Sequence, residues 1–376
     1  MPIRLAVAAA LLFASTALGA DTVVRLTLKG RTVEGLIAGH DDHAVHLIGA
    51  DGALSSVPIG AVRDFRKTGS RLRADNAVKV KARLIKEFGR DYEVVTSARY
   101  VVVAPHGRAK GYLATLDGVA RGFVSHFAKR RIPLTDPAFP LVAIVFASED
   151  EFAAYAREDG LPSVASVAGY YLRTSNRVAA YEPPSLTARS GRPFRGGPFG
   201  DFRPAGPDAS GAGELRETLV HEATHQLAFN TGLHSRVGND PKWVIEGLAT
   251  LMEPDAVRGR SLGTAGERVN AGRLRYAQRQ GLGEWSTATV ASLVSSDGLF
   301  QTDAAGAYSL AWSLSFYLNE QRPADYARYL ARLKARDPLK PYSADQRLTD
   351  FRLAFGNDLA RFDAAFRRFM AGLPEA

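Results

Sequence analysis

Residues 214–230 read ELRETLVHEATHQLAFN, and at the centre of this stretch stand His221-Glu222-Ala223-Thr224-His225, two histidines four positions apart with a glutamate directly after the first. The segment reads as one helix from about Glu214 to Asn230, closed by Gly232 at the C-cap. Residues four apart lie one turn up the same helix face, about 6 Å along the axis. Both imidazoles can therefore point at one ion, and the glutamate between them can reach a water beside it. A pattern of five residues is short enough to arise by chance, so its surroundings decide how it is read.

The surroundings supply a third candidate ligand. Trp243-Val244-Ile245-Glu246-Gly247-Leu248-Ala249-Thr250 places Glu246 21 positions after His225. That distance lets the first helix end, a loop through Gly232 and Asp240-Pro241 turn, and a second helix bring a carboxylate back to the ion. His221-Glu222-x-x-His225-Gln226 followed by Trp243-x-x-Glu246-Gly247-x-Ala249-Thr250 resembles the gluzincin branch of the MA-clan zinc metallopeptidases. The stretch from about Tyr100 to the C-terminus is similar also to bacterial peptidase MA-like proteins grouped as a domain of unknown function.

The resemblance implies Zn2+ held by His221, His225 and Glu246, with Glu222 as general base. It further implies a tyrosine that donates to the developing oxyanion from a downstream helix, and Tyr308 in Tyr308-Ser309-Leu310-Ala311-Trp312 matches in position and company. Glu253, seven residues beyond Glu246, could partner a ligand histidine, but a solvated helix-face carboxylate explains it better. Two departures narrow the class. No Gly-x-Met-Glu-Asn stretch is present to bind a free substrate amine, which points away from exopeptidase action. A metzincin would want glycine and histidine where Ala228 and Thr231 stand, so His234 is a poor ligand.

Outward from the motif, the chain reads as an α+β protein in two parts. A small N-terminal SH3-like β-barrel is expected over 20–70, where Val24, Leu26 and Leu28 alternate and turn residues such as Gly39-His40-Asp41-Asp42 and Asp51-Gly52 interrupt apolar runs. His40, His43 and His46 lie close together in it, and a polar loop explains them better than a metal site.

A zincin-like metallopeptidase domain is expected over 75–376, with a mixed sheet layer and a mainly helical C-terminal half. Tyr100 to Ala104 and Leu141 to Phe146 read as strands, Tyr112 to Phe127 and Glu149 to Glu158 as helices, and Gly169 to Tyr181 as a hairpin. The Pro-, Gly- and Arg-dense stretch 183–213 reads as a mobile loop. Near the C-terminus Phe351, Leu353, Phe355, Leu359, Phe362 and Phe366 read as core or groove wall.

Composition bounds the rest. The 376 residues contain 46% hydrophobic and 23% charged residues, the balance of a globular protein. There is no cysteine, so any metal site must use nitrogen and oxygen ligands. The net charge of +9 invites a nucleic-acid reading, but the basic residues are scattered and no nucleic-acid motif accompanies them. Arg4, the apolar run from Leu5 to Leu18 and the small residues that follow have the layout of a signal peptide over 1–19, shorter than the ~20 residues of a membrane span.

The expected protein is thus a periplasmic or secreted zinc endopeptidase with a protein or peptide substrate, no nucleic-acid partner and no transmembrane segment in the mature chain; an envelope partner could be held by the N-terminal barrel. The alternatives are a non-catalytic envelope scaffold with a vestigial metal site, against which the intact Glu222 argues, and a hydrolase of peptidoglycan amides.

Overall fold

The computed structural model describes residues 22–28, 30–164, 167–183, 211–259 and 264–375. The expected signal peptide lies outside the described residues, as do 184–210 of the expected mobile loop; 211–213 already belong to a helix.

Five antiparallel strands come first: β1 (Thr22–Leu28), β2 (Arg31–His40), β3 (Ala44–Ile48), β4 (Leu54–Pro58) and β5 (Val62–Arg71). They lie in the order β4-β3-β2-β1-β5, and the pairings found among the described residues do not join β4 to β5. An antiparallel sheet is therefore present where a barrel was expected, without a closing pair. Val24, Leu26, Val45, Leu47, Val57 and Val62 form its own small core. The three neighbouring histidines stay apart in role: the His46 ring bonds its cross-strand partner Ser56 through Nδ1 at 2.8 Å, and His43 offers its main-chain N–H to Asp41.

The second sheet is mixed, in the order β6-β7-β8-β10-β9. It comprises β6 (Tyr92–Thr96), β7 (Tyr100–Pro105), β8 (Leu141–Phe146), β9 (Gly169–Leu172) and β10 (Arg177–Tyr181), with β7–β8 and β8–β10 parallel. The apolar runs of β7 and β8 are buried on both faces, as parallel strands require. Because side chains alternate, Val102, Ala104, Ala143 and Val145 enter one core while Val101, Val103, Val142 and Ile144 enter the other. The latter is covered by α1 (Ala77–Phe88) and α3 (Glu149–Glu158), the former by α2 (Ala109–Lys129) and α4 (Gly211–Asn230). The hairpin read from sequence is β9–β10, and its turn uses Asn176 at φ 61°, a residue that tolerates the left-handed region.

The remaining chain is helical: α5 (Lys242–Leu251), α6 (Asp255–Arg258), α7 (Ala271–Tyr276), α8 (Thr287–Ser295), α9 (Ala304–Gln321), α10 (Pro323–Ala335), α11 (Ala344–Phe355) and α12 (Leu359–Ala371), with shorter turns between. α9 is buried from Gly306 to Asn319 and forms the axis of this half. Trp243, Tyr329, Phe351, Phe355 and Phe362 pack beside it in one stacked pair, Trp243–Tyr329, and in edge-to-face and tilted pairs. Leu353 corrects the expectation: it is 62% exposed. Phe351 and Phe355 are four apart and share one face of α11, which turns Leu353 to the opposite side. Among the described residues no helix is long and apolar enough to cross a membrane.

One buried titratable group in the scaffold has a measurable consequence. His126 on α2 is 4% exposed, and burial, helped by the Arg130 charge, pushes its imidazole down to about 3 from the ordinary 6.5. The unfolded chain takes up this proton below pH 6.5 and the folded chain does not until about 3. Stability from this group is thus fully present above 6.5 and declines by about 1.4 kcal/mol per pH unit as the pH falls through that window. Denaturant titrations of His126→Gln are expected to show a shallower acid slope than the unsubstituted protein; equal slopes would remove His126 as the cause.

Candidate metal centre

α4 carries the histidine pair, and it is buried without a solvent face from Leu219 to Phe229. Its register against the sheet is fixed by Gln226, directly after His225. The Gln226 amide donates to Val142 O at 3.0 Å and to Asn176 O at 2.9 Å, reaching strand β8 and the β9–β10 turn at once. At its end Gly232, at φ 73°, takes the left-handed turn that closes the helix, as the sequence indicates.

α5 brings the carboxylate. It starts after Pro241, with the Lys242 N–H bonded to Asp297 at 3.0 Å. The residue after Glu246 is glycine for a reason visible in the packing: a Cβ on Gly247 would lie 2.6 Å from Ala311 O, main chain of α9. The close approach of α5 and α9 thus sets where Glu246 stands. Gly247→Ala would push the helices apart, and zinc titration of that variant is expected to show binding weakened by about tenfold or more; unchanged affinity would show that the spacing does not control the carboxylate.

His221, His225 and Glu246 converge. The two Nε2 atoms are 3.1 Å apart, and Glu246 Oε2 lies 3.5 Å from His221 Nε2 and 3.4 Å from His225 Nε2. The three residues are 4, 7 and 5% exposed. Ligand atoms about 2.0–2.2 Å from a tetrahedral zinc stand about 3.3–3.5 Å from one another. Two edges of the observed triangle, 3.4 and 3.5 Å, fall at that length, and the third, 3.1 Å between the two Nε2 atoms, is slightly shorter. Glu246 Oε2 is buried without a hydrogen-bond partner, a costly arrangement for a carboxylate oxygen unless a cation takes its lone pair. The residues therefore fit a metal ion, and among the described residues this is the group of histidines and carboxylates able to hold one.

The ring of His221 is fixed from behind. Its Nδ1 lies 2.9 Å from Glu253 Oε1, so Nδ1 carries the proton and Nε2 keeps its lone pair towards the triangle. Glu253, 7% exposed, is in turn held by the amide of Asn270, the N-cap of α7. The structure corrects the sequence reading of Glu253: it is not a solvated helix-face carboxylate but a buried partner of a candidate ligand histidine. Glu222 is buried beside the pair at 3% exposure.

Tyr308 on α9 is placed by its ring, which meets Phe300 edge-to-face at 5.3 Å and lies under the Arg273 guanidinium at 5.2 Å and the Lys242 ammonium at 5.9 Å. It thus sits near the start of α5. His234, excluded as a ligand by its spacing, is paired through Nδ1 with Asp240 at 3.2 Å in the loop between α4 and α5.

Gln226 and Asn270 are the contributors that sequence reasoning did not assign. Gln226 was visible as part of the motif, but its task depends on strands far away in the chain. Asn270 carried only the signal of an N-cap residue ahead of a short helix.

A family model described as "Protein of unknown function (DUF1570)" matches residues 216–340, about a third of the chain. The matched segment contains His221, Glu222, His225, Glu246 and Tyr308. No curated protein matches the chain.

Proposed function

We propose that the chain is a zinc-dependent endopeptidase of the gluzincin type, exported through a signal peptide at 1–19 to the periplasm or medium. In this reading a zincin-like domain over 75–376 carries the chemistry and an SH3-like module over 20–70 stands beside it. The observation that carries the reading is the His221–His225–Glu246 triangle, at zinc-ligand spacing, with the unpartnered Glu246 oxygen inside it.

Zinc, when bound, supplies a Lewis acid that polarises a scissile carbonyl and acidifies a water. His221, His225 and Glu246 hold it, and Glu253 orients His221. Glu222 accepts the proton of the attacking water and passes it to the departing amine nitrogen. Tyr308 is the proposed donor to the carbonyl oxygen as it gains charge. Among the described residues the outer strand β9 has β10 on one side only, which supports docking of an extended peptide by main-chain hydrogen bonds.

Metal analysis of the purified protein, with cleavage of casein compared against cell-wall muropeptides, tests the assignment. Casein cleavage by a zinc-loaded protein is expected. Cleavage of muropeptides alone would replace the substrate class, and a zinc-loaded protein that cleaves neither would favour a binding role.

A further inference from the structure

The turn of the β9–β10 hairpin is gripped from two sides. On one side is the metal helix: Asn176 O accepts from Gln226, and the Asn176 and Asn230 amides exchange hydrogen bonds of 3.0 and 2.7 Å. Tyr171 on β9 donates its hydroxyl to the same Asn176 amide oxygen at 2.9 Å. On the other side is the N-terminal sheet. Leu54, at the start of β4, donates its N–H to Thr174 O at 2.7 Å.

Arg236, in the loop after α4, joins all three parts. Its Nη1 donates to Gly52 O of the β3–β4 turn at 2.8 Å, while Nε and Nη2 donate to Arg173 O at 3.0 and 2.5 Å. Arg173 answers with a bond of 2.6 Å to Gly238 O, two residues past Arg236, and lays its guanidinium over Phe229 of α4. A planar guanidinium with five N–H groups can satisfy carbonyls from separate segments in one plane, which a lysine cannot. An arginine that bonds main-chain carbonyls of two other segments from its own loop acts as a bolt between the three.

We propose that the N-terminal sheet is a buttress for the edge strand β9, and that Arg236 is the positioning residue through which it sets that strand against the metal helix. This rests on the reading of β9 as the peptide-docking edge. The sheet contributes none of the ligands, so its effect falls on substrate alignment and leaves the metal in place.

The experiment uses full-length Arg236→Met and Arg236→Lys proteins. Zinc content, hydrogen exchange of residues 169–181 against α4 and α5, and KM and kcat on casein are measured on the same preparations. The Met variant is expected to keep its zinc, to exchange about tenfold faster in the hairpin with α4 and α5 unchanged, and to show KM raised by about tenfold with kcat within about twofold. The Lys variant should fall between, since its three N–H groups reach fewer carbonyls, and it carries the test if the Met variant does not fold.

Unchanged hairpin exchange overturns the proposal, as does a loss of protection spread equally over α4 and α5, or a fall in kcat at constant KM. If the unsubstituted protein is inert on casein, the peptidase reading fails and the docking role fails with it. The exchange data then decide separately whether Arg236 holds the hairpin, so the two failures are told apart.

Discussion

Glu222→Gln is expected to retain zinc at nearly the unsubstituted level and to lose at least about 100-fold in peptide-bond cleavage. Glutamine keeps the side-chain volume in a position only 3% exposed, so packing around α4 is preserved. The residue is outside the ligand triangle, so the donors remain. What disappears, in the proposed mechanism, is the proton acceptor for the attacking water. A glutamate whose role was only to fill space would tolerate the change with little loss. Zinc content and casein cleavage measured on one preparation separate these outcomes; a zinc-loaded variant with full activity would refute the mechanism.

Glu246→Ala is expected to weaken zinc binding as severely as His221→Ala. Each removes one of three donors that already converge to within 3.5 Å of one another, and two donors would leave an ion without its enclosure. The effect should exceed the 10–100-fold typical of losing an outer partner such as Glu253. Competition with a chromogenic chelator gives the affinities directly. Undiminished binding in Glu246→Ala would remove the third ligand and with it the gluzincin type.

Much of the candidate centre was legible because the three residues that converge there obey local rules. Two histidines one helical turn apart need no tertiary knowledge, and Glu246 needs only a second helix after a short loop. The strands at Tyr100 and Leu141 were readable as apolar runs bounded by turns, and the β9–β10 hairpin by its polar centre. The parts that were not legible depend on neighbours distant in sequence. Glu253 looks like any acidic residue after a helix until the fold sets it against His221. Gly247 is explained by the α9 main chain, more than sixty positions away. Leu353 reads as core in a list of apolar residues, but the helical period assigns that face to Phe351 and Phe355. Strand spacing alone suggested a barrel, because alternation reports which side of a strand is buried and not whether the first and last strands meet.

The difference between local ligands and remote support bears on the order in which the molecule assembles. His221, His225 and Glu246 lie on consecutive helices, while Gln226 reaches Val142 across 84 positions and Asn176 across 50. Helix pairs built from nearby residues form early, whereas parallel strands such as β7, β8 and β10 must wait for long loops to close. On refolding of the complete chain, the local helix pair is therefore expected to bring both imidazoles together before the sheet has set the pitch of their helix and before α9 has fixed the carboxylate. Capture of an ion and the slow closure of the sheet would then be separate steps, the second converting a loose set of donors into a site of defined shape.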